Sequence, residues 1–155
     1  MQGPYNVNKE GSGDMYPKGG VMHNMIRTII DDDDKWRNIL RGLNKEYYHK
    51  TVNYSDIVNY VSKHSGIDLS KTFEQFVQHR GIPTLEINVT PDKSIAYRWV
   101  SEVEGFDMPI HISLANGKKV LIKPTQDFKV LRAPGATKDN IVVDTFNYYV
   151  GVTIQ

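Results

Sequence analysis

The chain changes its hydrophobic period once, at Gly81-Ile82-Pro83, and that change limits what each half can fold into. Upstream, apolar residues recur every three or four positions, the spacing that places them on one face of a helix. Downstream they alternate with polar residues, the spacing that places them on one face of a strand. Proline has no amide hydrogen to extend a helix, and it drives the residue before it toward extended backbone. The switch therefore falls where a helix must stop.

On the helical side, Val21, Met22, Met25, Ile26, Ile29 and Ile30 predict a helix running from Gly19 with one wide apolar stripe. Four consecutive aspartates at 31–34 interrupt it. They read as a turn and the first turn of a second helix, where carboxylates accept from free amides and face the positive end of the helix dipole. Trp36, Ile39, Leu40, Leu43 and Tyr47 follow at helical spacing. Ser55 and Asp56 can cap a third helix carrying Ile57, Val58 and Val61, which Ser65-Gly66 would end. A fourth is expected over 70–79, with Phe73, Phe76 and Val77 inward.

On the other side, Leu85, Ile87 and Val89 alternate with polar neighbours, and a second β-rich run spans 95–103 around Tyr97 and Trp99. Asn116-Gly117 marks a hairpin between 110–114 and 120–122, because both residues accept positive φ. Strands are also expected at 128–131 and, at least one more, within 141–152. With no crossover helices between them, an antiparallel arrangement is favoured. The expected fold is α+β: a segment of about four helices followed by a small antiparallel, Ig-like β-sandwich. The chain divides into a flexible arm at 1–15, a helical segment at 16–80 and a β-sandwich at 81–155.

Composition narrows function mainly by exclusion. The 19 basic and 18 acidic side chains leave a formal charge of +1, too little for a global field that recruits nucleic acid or acidic lipid, so neither is an expected partner. Without cysteine there is no disulfide framework and no thiolate metal site, which leaves the compartment open. No apolar run approaches the roughly 20 residues of a membrane span, and the polar, glycine-rich start lacks the pattern of a signal peptide.

The motif content is concentrated in Asp14-Met15-Tyr16-Pro17-Lys18-Gly19-Gly20, followed at once by the helix containing Arg27. This string resembles the tyrosine-x-lysine-glycine segment of the M1 family of zinc aminopeptidases. The resemblance continues in order through Asp34-Lys35-Trp36-Arg37, the run from Thr51-Val52 to Ile57, Ser65-Gly66-Ile67-Asp68-Leu69 with Phe73 and Val77, and Gly81-Ile82-Pro83. Tyr97-Arg98-Trp99 and Gly105-Phe106-Asp107-Met108-Pro109 resemble the small β domain of many members. From spacing alone Tyr16 is an aromatic at a helix start. The resemblance implies more: a phenol that donates a hydrogen bond to the oxyanion of the tetrahedral intermediate, in an enzyme whose zinc activates water against a peptide bond.

That zinc needs two histidines at i and i+4 with a glutamate base between them, and a further carboxylate ligand. The five histidines, His23, His49, His64, His79 and His111, are 15 or more residues apart and none is followed by glutamate. No cofactor or metal is expected in this chain, and zinc is expected in the parent enzyme. The expectation is a C-terminal portion of an aminopeptidase, catalytically silent alone, whose partners are the missing N-terminal catalytic half and, through it, peptide substrates. The alternative is a stand-alone, non-catalytic β-sandwich module that holds a peptide, glycan or protein partner. The wide stripe on the first helix suggests a face once covered by the missing half, and so a homodimer of the fragment. Asp34-Lys35 completes DDDDK, a string an expression tag can carry, but it is embedded in a helix pattern and reads as native. Asn53-Tyr54-Ser55 and Asn88-Val89-Thr90 fit the glycosylation sequon, a triplet too common to decide anything. Tyr97, Trp99, Phe106 and Tyr148-Tyr149 read as packing aromatics before a ligand platform.

Overall fold

The computed structural model describes Gly13, residues 15–115 and residues 117–155. The expected arm at 1–15 lies almost wholly outside the described residues. Four helices come first, α1 (Met15–Ile30), α2 (Asp33–Glu46), α3 (Tyr54–Ser65) and α4 (Ser70–Gln78). Seven strands follow: β1 (Thr84–Thr90), β2 (Ser94–Val100), β3 (Ile110–Ser113), β4 (Lys119–Ile122), β5 (Lys129–Arg132), β6 (Val142–Val143) and β7 (Gly151–Ile154). The expected α+β class is the one observed.

Helix α1 begins at Met15 rather than Gly19, so Tyr16, Pro17 and both glycines lie inside it. Proline is tolerated there because first-turn amides have no intrahelical acceptor. The aspartate run divides its labour as charge and capping require. Asp31 takes a positive φ of 52° at the turn, and Asp32 caps α2 by accepting from the Lys35 amide at 2.9 Å. Asp33 meets Arg27 in two bonds of 2.7 Å, and Asp34 meets Arg37 at 2.7 Å. The cap of α3 falls two positions earlier than Ser55. Asn53 is its N-cap, and the Asp56 carboxylate accepts the Asn53 amide at 2.8 Å. Gly66, at φ 74°, closes α3 in the left-handed conformation a side chain would resist.

The stripe on α1 is covered within the chain. Met22, Met25, Ile26 and Ile29 are buried, Ile30 packs partly buried against the same core, and Val21 is 38% exposed. Burying each of the larger side chains contributes roughly 1.5–3 kcal/mol. Helix α2 packs on one flank of α1, and the loop at 144–150 closes another, with the Tyr149 amide 3.2 Å from Met25 Sδ. The stripe that motivates the expectation of self-association is therefore largely covered within the chain.

The strands form two sheets, ordered β5-β2-β1-β7 and β4-β3-β6. β1 and β2 pair antiparallel from Thr84↔Val100 to Thr90↔Ser94. β7 lies parallel to β1, from Thr84↔Gly151 to Ile87↔Ile154, so the larger sheet is mixed rather than wholly antiparallel. The reason is tertiary: the loop at 144–150 crosses to α1 before the chain returns, and it re-enters beside Pro83, whose carbonyl accepts from the Gly151 amide at 3.0 Å. In the turn between β3 and β4, Gly117 takes φ 72°, while Asn116 lies outside the described residues. Buried residues of helices and sheets form one continuous core. Trp99 is fully buried within it, donating to the Met108 carbonyl at 2.9 Å and meeting Phe106 edge-on at 5.3 Å.

Where α4 gives way to β1, the buried Gln75 amide donates to the Gly81 carbonyl at 2.9 Å. Its oxygen accepts from the Ser101 hydroxyl at 2.7 Å. Gln75→Leu should cost about 1–2 kcal/mol, because it leaves a half-buried carbonyl and a half-buried hydroxyl without their partner. Ser101→Ala should cost less, and the double variant less than the sum, since both remove one shared bond. Urea midpoints with an unchanged slope would measure this, and strictly additive losses would contradict it. Lys18, whose ammonium donates to the His79 carbonyl at 2.9 Å, ties the start of α1 to the end of α4. Lys18→Met should cost about 1 kcal/mol in the same assay.

Candidate functional site

Helix α1 delivers Tyr16 in its first turn, where the side chain is 71% exposed. The phenol makes no hydrogen bond to another described residue. The next two residues, Pro17 and Lys18, line a cleft of about 280 Å³ together with Val21, Arg80 and Tyr149. Three separate stretches meet there: the start of α1, the segment between α4 and β1, and the loop before β7. Pro17, Val21 and Tyr149 supply an apolar wall, and Lys18 and Arg80 supply positive charge. Tyr16 is not among the lining residues; its exposed phenol stands one residue before the wall, open to a polar group on a bound molecule.

Sequence reading singles out Tyr16 and its helix start, but not the convergence of Arg80 and Tyr149 on the same cleft. Tyr148-Tyr149 offered one clue, since neighbouring aromatics that face opposite ways place one ring inside and one outside. Tyr148 is buried and Tyr149 is 47% exposed. Tyr97, Trp99 and Phe106 are core residues.

The histidines are dispersed. His23 lies beside Trp36, His49 beside Tyr48, and His64 stacks on Tyr60 at 4.1 Å. His79 is 3.4 Å from Glu102, and His111 is buried against Tyr148. Among the described residues no group of three or more histidine, cysteine, aspartate or glutamate side chains could hold a metal ion. The aspartates at 32–34 act as a cap and ion-pair partners, and hydrogen bonding from Arg27 holds the Asp33 carboxyl below its ordinary range. Of the two sequons, Asn53 is an exposed helix cap, while Asn88 is half-buried in β1, its side-chain oxygen buried without a partner. No helix among the described residues is long and apolar enough to cross a membrane.

Comparison with protein-family models and with curated proteins returns no match. Among solved structures, the chain is similar to aminopeptidase A of Legionella pneumophila, determined in complex with aspartic acid. The identity is 17%, the TM-score is 0.63, and the match covers 93% of this chain and 18% of that one. At that identity the likeness is one of fold, and the chain spans under a fifth of the length of the enzyme it matches. The helices and both sheets of this chain thus share their fold with part of an aminopeptidase.

Proposed function

We propose that this chain is part of a larger M1-type zinc aminopeptidase, one that removes N-terminal residues from peptides, and that Tyr16 is its transition-state hydrogen-bond donor. The observation that carries the reading is Tyr16 itself, an exposed phenol in the first turn of α1, one residue before Pro17 and Lys18 of the cleft. The ordered strings from Asp14 to Pro109 and the fold shared with an aminopeptidase support it. A neutral O–H donor aimed at an oxyanion contributes about 3 kcal/mol to the transition state when water is excluded.

The residues present do not fit zinc, since no described cluster could hold it and the sequence lacks the paired-histidine helix. In this reading metal and general base belong to the remainder of the enzyme, which is the chain's first partner. A second reading, a non-catalytic β-sandwich module, rests on Phe146. Its ring is 94% exposed on a turn fastened by Asp144, whose carboxylate accepts the Asn147 amide at 3.2 Å. A rigidly presented aromatic is the kind of side chain that anchors a partner.

The isolated chain should bind no stoichiometric zinc and release no product from an aminoacyl reporter. One tightly held zinc per chain by elemental analysis would overturn the division of labour proposed here. In an enzyme reassembled with its zinc-bearing portion, Tyr16→Phe should lower kcat by about 100-fold or more with a much smaller change in KM. A change confined to KM would make Tyr16 a wall residue and not the transition-state donor.

A further inference from the structure

We propose that His111 and Tyr148 form a pH-sensitive latch: while His111 is neutral, its bond to the phenol holds the loop at 144–150 against α1, and protonation of the ring releases it. The inference concerns the loop and holds whatever chemistry Tyr16 performs.

The latch is built from two buried side chains. His111, on β3, is 8% exposed and Tyr148 is 1% exposed, with Nδ1 of the imidazole 2.9 Å from the phenol oxygen. Burial pushes the phenol far above its ordinary range. Tyr148 therefore stays protonated. In the latched state the phenol donates its proton across 2.9 Å to a bare Nδ1, which sets the ring hydrogen on Nε2. A second ring proton would set two donors against each other and leave a buried hydroxyl without its acceptor.

The charges around the ring come from every element packed on it. Lys119 on β4 disfavours the imidazolium, while Asp31, after α1, and Asp144, after β6, favour it. Burial is the largest influence and, with Lys119, holds the imidazole below the ordinary histidine range. Since the folded value lies below the unfolded one, the latch contributes fully above about pH 6.5 and is lost as pH falls toward the folded value. Protons have a route, because His111 lines an open cleft of about 370 Å³ with Lys119, Asp144 and Phe146.

What the latch holds is the wall of the other cleft. The Tyr148 amide donates to the Asp144 carbonyl at 3.1 Å, and the Tyr149 amide reaches Met25 Sδ on α1. Asn24 on α1 donates to Asn147 at 3.3 Å. Tyr149, the next residue along, forms part of the wall that begins with Pro17 and Lys18. Releasing Tyr148 thus frees that wall from α1.

Hydrogen exchange and ring titration by NMR on the full chain, between about pH 8 and about pH 5, test this. His111 should titrate below free histidine. After correction for intrinsic rates, protection of the Tyr148 and Tyr149 amides should fall relative to Leu85 and Ile87 in β1. The fall should be up to about tenfold per pH unit between the two histidine values, the slope of a single linked proton. His111→Asn places a non-titrating acceptor near Nδ1 and should keep the loop protected while abolishing the pH dependence. Tyr148→Phe should leave the loop weakly protected at every pH. Loop protection that stays level with β1 across the range in the native chain would overturn the proposal, as would a pH dependence that survives in His111→Asn or in Tyr148→Phe.

Discussion

One buried amide carries the join between the two kinds of secondary structure. Gln75 sits on α4 among apolar side chains, yet both ends of its side chain are used, one on the Gly81 carbonyl and the other on the Ser101 hydroxyl. Desolvating a side-chain amide is tolerable only when its hydrogen bonds are replaced. Here the replacements come from the end of the helical run and from the end of β2, so the helices and the larger sheet cannot be pulled apart without exposing them. The Lys18 ammonium on the His79 carbonyl extends this join to the start of α1, next to Tyr16.

The second join runs through the loop at 144–150. It leaves β6, crosses to α1, covers Met25 and returns as β7 beside β1. This single excursion explains two features at once: why the stripe of α1 is not bare, and why β7 runs parallel to its neighbour. It also carries Tyr149 into the cleft that begins one residue after Tyr16. The cleft is therefore a product of the two joins, which bring Arg80 and Tyr149 to Pro17 and Lys18 just after Tyr16.

Much of the architecture is legible in local chemistry. The change of period at Gly81-Ile82-Pro83, the aspartates at 31–34 and the glycine after Ser65 act within a few residues of themselves, and the structure uses them as capping and turn rules require. The start of α1 was harder to read, because Pro17, Gly19 and Gly20 carry poor helix propensity and no apolar signal. Propensity is a weak prior that packing of the following turns overrides.

The sequence by itself determined the α+β class, the order of elements and most of the inward-facing residues, all of which follow from periodicity or from a short string. It could not determine the parallel placement of β7, the burial of the α1 stripe, the meeting of Lys18, Arg80 and Tyr149, or the pairing of His111 with Tyr148. Each of these joins residues far apart in the chain, and no local spacing encodes a contact of that range. They are settled only when the whole core closes, because that is when a buried polar group must find its partner or lose its hydration uncompensated.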